Sequence, residues 1–381
     1  MKIGLWTSVG DRCGIAAYSS ALKQELEELG VRITVVQVPY TEHDPGVLSE
    51  RVAHLNSCDL IHIQHEYTFF GGIAPGVSSL PRLLKQLERP HVVTAHTVFT
   101  STELLRVGSE IRPRQKLAKQ VLAKVPAYRK SVERDPFASA RAVIVHTELA
   151  ANRLAAWRIP RDRIHVIPAG APVPSRAADP AQIETLRRRL KLENARVMAI
   201  FGFLSPDKGY ELALEALKEL PAAVHLLIAG GVRVESEDAY LKALEEEIKT
   251  RGLQGRVTIT GYLETRDLPE YFALADLVLV PHTAANGSYS VVVALAHGAA
   301  VLASDLACFQ ELNEQHGCVD LFAAGDSRAL RERMSFLLAS AGSRTRLRQA
   351  AQKFAEERSW RSVAIRTRAI YEGIRGANIA P

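Results

Sequence analysis

Short apolar runs alternate with stretches of helical periodicity along nearly the whole chain, and this rhythm restricts the fold more than any other feature of the sequence. Apolar runs of strand length suit strands buried on both faces, and a crossover helix between each pair makes neighbouring strands parallel. Lys2 to Trp6, Val31 to Val38, Asp59 to Gln64, Pro90 to Ala95, Arg141 to Val145 and Arg163 to Ile167 read as strands of a first half. The proline-rich, polar stretch from Pro168 to Pro180 interrupts the pattern. It then restarts, with strands near Arg196 to Gly202, Val224 to Ala229, Arg256 to Thr260, Leu277 to Pro281 and Ala300 to Ser304. The expectation is an α/β chain of two parallel-sheet domains, 1–172 and 196–358, joined by a linker region over 173–195. A chain of 381 residues that is 47% hydrophobic is long enough to bury two such cores.

The stretch Phe201 to Gly209, FGFLSPDKG, follows a strand and leads into a helix marked by Leu212, Ala216 and Leu220. Turns of this kind lie at the carboxyl ends of strands, where open sheets bind ligands, and the helix entry offers free amides and a positive dipole end to an anion. Lys208 adds a mobile cation there, although an ordinary turn with a solvated lysine fits the same residues. A second such turn, HTAANGSYS, follows Leu277 to Pro281 and opens a helix from about Ser290 to His297. Its Gly287, Ser288 and Ser290 stand where amides and hydroxyls would meet a ligand. Two anion-suited turns in one half fit a diphosphate better than a single phosphate. The sequence has no D-x-D and no H-E-x-x-H, so neutralisation is expected from Lys208 and helix ends, with no metal and no cofactor.

The first half opens with the turn TSVGDRCG, where Gly10 and Gly14 let a substrate approach the backbone or simply make a tight turn. A dinucleotide is not supported, since G-x-G-x-x-G is missing. Two strands end in histidines, His65 and His96, both expected on one carboxyl edge. Residues 102–134 carry Arg112, Arg114, Lys116, Lys119 and Lys124 beside a narrow apolar stripe. Such a face suits anionic lipid, a phosphorylated acceptor, or plain solvent. The net charge of +6 favours anionic partners, and 6% aromatic content with no basic tract interleaved with aromatics argues against single-stranded nucleic acid. Four scattered cysteines, no apolar signal segment and no run of membrane-spanning length lead to the expectation of a cytoplasmic protein, peripheral on the inner membrane face if the basic segment meets lipid.

Taken in order, GDRCG, TAHT at Thr94 to Thr97, VIPAG at Val166 to Gly170, GFLSPDKG at Gly202 to Gly209, TGYL at Thr260 to Leu263, ADLVLVP at Ala275 to Pro281, and ALAHGAAVLASD at Ala294 to Asp305 make the chain resemble the GT-B glycosyltransferases. It is similar to the large retaining family numbered four. The resemblance implies two Rossmann-like domains with parallel sheets facing across a cleft. The first would bind the acceptor and the second a nucleotide-diphosphate sugar, with no required metal, and the last helix, 359–376, would pack back onto the first. It also implies His96 against the transferred sugar and Lys208 on the diphosphate as the catalytic pair. Gly14, Gly202, Phe203, Gly230, Tyr262, Leu263, Asn286, Gly287, Ser288, Tyr289, Ser290 and Val291 would line the donor, and Gly10, Asp11, Arg12, His65 and Glu66 the acceptor side. Four positions depart from the family: Phe203 replaces an arginine, Ala285 and Val293 replace paired glutamates, and Ala169 replaces an asparagine. The implied activity is transfer of a hexosyl-type sugar to a glycan, glycolipid or small molecule, with retention. The alternatives are a catalytically silent nucleotide-sugar-binding protein and a related pseudo-glycosyltransferase or epimerase.

Overall fold

The run RVMAIF shows why these segments become central strands: Val197, Ala199 and Phe201 enter one hydrophobic core while Met198 and Ile200 enter another, so both faces of the strand are covered. A computed structural model describes residues 1–10, 13–39, 44–70, 78–104, 121–232 and 238–377. The chain forms two compact units, Met1–Gly170 with Trp360–Pro381, and Ala171–Ser359.

The first unit holds strands β1 (Lys2–Thr7), β2 (Arg32–Gln37), β3 (Leu60–His65), β4 (His91–Ala95), β5 (Ala142–Val145) and β6 (Ile164–Val166). They pair in parallel in the order β2-β1-β3-β4-β5-β6. The order reverses between β1 and β3, the place where open sheets leave a crevice for a ligand. One face carries a core of Trp6, Ile61, Ile63, Phe70, Val93, Phe137 and Val143. Helices Gly14–Glu28 and Trp360–Ala377 pack against each other, and Trp360 meets Tyr18 edge-on at 4.9 Å between ring centroids. A Cβ on Gly170 would lie 2.6 Å from the Trp360 ring, so only glycine lets the chain pass that indole.

The second unit contains β7 (Arg196–Phe201), β8 (Val224–Ala229), β9 (Val257–Ile259), β10 (Leu277–Val280), β11 (Val301–Ser304) and β12 (Val319–Phe322), all parallel, in the order β12-β11-β10-β7-β8-β9. This is the doubly wound order with its reversal between β7 and β10. The edge strand β12 escaped the sequence reading because Asp320 interrupts a four-residue run; its carboxylate takes two hydrogen bonds from Arg333, at 2.9 and 2.5 Å.

Residues 173–195, read as a linker, include the helix Pro180–Arg189 of the second unit. Asp179 caps it by accepting from the Ala181 amide at 2.9 Å, and Pro180 takes the first helical position, where no amide is needed. Arg176 tethers the segment to the buried Glu270, whose carboxyl is held below its usual range by that hydrogen bond. Composition suggested a linker region; within it the Asp-Pro start opens a helix and a tertiary ion pair anchors the segment. Of the basic segment, 105–120 lie outside the described residues. Among the described residues no helix is long and apolar enough to cross a membrane, and the four cysteines are free thiols.

Candidate active site

In the second unit, the turns after β7, β8 and β10 meet at the reversal point. Gly202 has φ +113°, which favours glycine, and a Cβ there would stand 2.9 Å from Lys208 Nζ and 3.6 Å from Ser290 Cβ. The lysine ammonium and Ser290 therefore converge on the backbone of Gly202. Two further contacts fix the turns. A Cβ on Gly230 would strike the Gly202 carbonyl, and one on Gly209, at φ +71°, would strike the Pro281 carbonyl. The Thr283 amide donates to Asp207 O at 2.8 Å, so the Lys208 turn and the serine turn are bonded to each other. This explains how two segments some eighty residues apart hold one register.

The helix Tyr289–Ala296 begins beside this point, with Ser288 in extended conformation as its cap. Ser288 Oγ lies 2.8 Å from Ser290 Oγ and 3.4 Å from His282 Nε2. His282 is 5% exposed, its Nδ1 has no hydrogen-bond partner, and its pKa is pushed down to about 3 by burial and then by the Lys208 charge. The imidazole is therefore neutral. Nothing in the sequence marked His282, because a histidine after a buried strand is commonplace; only the hydroxyl pair in front of it gives it meaning. Phe203 stacks on Tyr262 with ring centroids 6.0 Å apart, at the ends of β7 and β9. An apolar shelf thus takes the position of the family's arginine. Leu263 packs against the core, and Asn286 is 9% exposed.

Val291, read as a donor contact, is a core residue: it is 1% exposed and its amide donates to Ser288 O at 3.1 Å. The helical period turns it inward, one residue past Ser290. Ala285 and Val293, where the family carries carboxylates, both pack against the same core. Among the described residues no group of three or more histidine, cysteine, aspartate or glutamate side chains could hold a metal ion.

In the first unit, period two along the strands sorts the polar residues. His62 and Gln64 of β3 share a face with Thr94 of β4, and His96 and His146 continue it just past β4 and β5. His146 Nδ1 lies 2.9 Å from the Ile167 carbonyl and must donate, so its Nε2 accepts from His96 Nδ1 at 3.3 Å. His96 Nε2 is then a lone pair, 2.7 Å from the Gln64 amide, which must turn its NH2 that way. Burial first, then neighbouring histidines led by His146, hold the His96 pKa well below its ordinary value and keep the ring neutral. Behind this pair, His62 joins Tyr371 of the last helix at 2.5 Å and Thr94 at 2.7 Å. Tyr18 stands edge-on to His96 at 4.8 Å.

Both His96 ring nitrogens are thus engaged within the unit, and a sugar hydroxyl reaching them must compete with Gln64 or His146. His65 corrects the expectation of paired strand-end histidines. Its ring points to the opposite face of β3, 1% exposed, enclosed by Tyr67, Phe70 and Phe137, with Nδ1 unpartnered. The reason is the same period of two: residue 65 goes with Ile61 and Ile63 into the core. Glu66 ties the ends of β3 and β4 together, accepting from the Tyr67 amide at 2.8 Å and from Thr97 Oγ1 at 2.9 Å. Gly10 has φ +116° and open space at its Cα, and Gly14 starts the helix Gly14–Glu28. Asp11 and Arg12 lie outside the described residues.

Comparison with known proteins agrees with the two-unit parallel α/β fold. Residues 182–354 match the family described as Glycosyl transferases group 1, and residues 47–173 match Glycosyltransferase Family 4. The chain is 30% identical over 153 residues to mannosylfructose-phosphate synthase of Agrobacterium fabrum (37% of this chain, 32% of that protein). It is 30% identical over 215 residues to D-inositol 3-phosphate glycosyltransferase of Xylanimonas cellulosilytica (53% of this chain, 49% of that protein). The matches thus span 32% and 49% of the length of these two curated relatives. In fold, the chain is similar to sucrose-phosphate synthase of Thermosynechococcus elongatus, with TM-score 0.76 at 18% identity over 99% of both chains. It is also similar to Anabaena HepE, solved in complex with UDP-glucose, with TM-score 0.72 at 20% identity over 99% of this chain and 100% of that one.

Proposed function

Because the chain belongs to the group 1 glycosyltransferases, of the GT-B fold, we propose that it transfers a hexose from a nucleotide-diphosphate sugar to a hydroxyl of an acceptor, with retention and without a metal. The observation that carries this reading is the convergence of the Lys208 ammonium and Ser290 on the open backbone of Gly202, at the reversal point of the second sheet. A leaving diphosphate develops charge as the glycosidic bond breaks, and a fixed cation beside helix amides stabilises that charge more than it stabilises the bound donor. No carboxylate of this turn stands as a nucleophile, since Ala285 and Val293 occupy the family's acidic positions. Retention then follows a path in which the leaving phosphate accepts the acceptor's proton on the same face of the sugar. The Phe203–Tyr262 shelf supplies a stacking surface for a base.

A panel of nucleotide-sugars tests the reading. Release of nucleoside diphosphate from one of them, in EDTA, with Lys208→Ala reducing turnover by roughly 100-fold or more, is the expected result. Turnover that needs added manganese defeats the metal-free part. The second reading, a silent nucleotide-sugar-binding protein, is favoured by the apolar packing of Ala285 and Val293, and saturable binding without release would select it.

A further inference from the structure

His282 contributes to the fold through its main chain: its carbonyl accepts from Ser304 Oγ at 2.8 Å, which ties the β10 turn to β11. The ring itself meets Phe309 edge-on at 5.7 Å, and among the described residues its hydrogen-bond partner is Ser288. A neutral imidazole carries one N–H and one lone pair. The buried Nδ1 has no partner, and an orphaned buried donor is rarer and costlier than an orphaned acceptor, so the proton belongs on Nε2. From Nε2 it is donated to Ser288 Oγ. Ser288 Oγ then has its own proton to donate to Ser290 Oγ, 2.8 Å away, and in that arrangement Ser290 keeps its proton with no protein acceptor for it among the described residues. Ser290 and Lys208 both approach the Gly202 backbone: a Cβ there would stand 2.9 Å from Lys208 Nζ and 3.6 Å from Ser290 Cβ.

We propose that His282 is a positioning residue that polarises the Ser288–Ser290 pair, so that Ser290 presents a hydrogen-bond donor to a phosphate oxygen held beside Lys208. The inference rests on the reading above that this turn receives a diphosphate. The opposite polarity, with Nε2 as lone pair, would turn Ser290 into an acceptor facing an anion and would strand a buried N–H. The arrangement supplies one directed neutral donor at a site where the chain has Phe203 in place of a second cation. It acts through another residue and touches no substrate itself.

Calorimetry on the full chain with UDP, uridine, GDP and guanosine tests it. His282→Phe keeps the ring volume, the carbonyl anchor and the Phe309 contact. It is expected to weaken the diphosphate that binds by roughly tenfold, the size of one charge-assisted hydrogen bond, and to leave the matching nucleoside unchanged. His282→Gln, which places an N–H near Nε2, should recover part of that loss. Because the effect runs through Ser290, the double variant His282→Phe, Ser290→Ala should bind as Ser290→Ala alone does. Additive losses in the double variant, equal losses for nucleoside and diphosphate, or His282→Phe binding as the wild type would each overturn the proposal. A wild-type protein that binds neither diphosphate overturns the donor reading and this inference with it, whereas wild-type binding with an unresponsive His282 overturns the inference alone.

Discussion

Gly202 shows how much a single position decides. At φ +113° an L side chain is strained, costing about 1–3 kcal/mol, and its Cβ would displace the Lys208 ammonium from 2.9 Å. Gly202→Ala is therefore expected to lower nucleoside diphosphate affinity by roughly tenfold or more. Thermal melting and calorimetry on the same sample check this, and wild-type affinity in a folded variant would remove Gly202 from the site. Lys208 was legible in the sequence because glycines and a helix start surround it. His282 was not, since its meaning comes from Ser288 and Ser290, six and eight residues on. Val291 was misread by one step of the helical period, which turns a side chain from the opening into the core.

At the scale of the element, β3 carries the sharpest lesson. Its sequence, LIHIQH, alternates two chemistries, and both His62 and His65 are pushed down to about 3 by burial. Above the ordinary histidine value of 6.5, both are neutral folded or unfolded. Between 6.5 and about 3, the unfolded chain binds protons that the folded one refuses, so stability is full above pH 6.5 and is lost as pH falls through this window. Each histidine accounts for about 2 kcal/mol between pH 7 and pH 5. His65→Phe, set among Tyr67, Phe70 and Phe137, should keep the packing and remove one such share. Urea midpoints at pH 7, 6 and 5 measure it. A variant whose pH dependence matches the wild type would place the proton uptake elsewhere.

Across the whole molecule, the carboxyl-terminal helix belongs to the first unit although the second unit precedes it in the chain. Trp360 fills the space over Gly170 and against Tyr18, and Tyr371 closes the chain of hydrogen bonds that starts at His62. Trp360→Ala should destabilise the first unit by about 3–5 kcal/mol, as loss of a buried aromatic does, and leave the second unit's melting unchanged. Differential scanning calorimetry separates the two transitions. A shift of both, or of neither, would contradict the division.

The alternation of apolar runs and helical periods settled the parallel α/β class, eleven of the twelve strands among the described residues and the place of the Lys208 turn, because these depend on local period and on glycine geometry. Tertiary structure alone decided the rest. It made one face of β3 core and the other a polar network, and so gave different surroundings to His65 and His62, which period two had already set on opposite faces. It drew 180–189 into the second unit through Arg176 and Glu270, and it set His282 behind two serines. The first two turn on side chains that meet across long separations in the chain and the third on how one turn folds back on itself, and period, propensity and motif carry no record of such meetings.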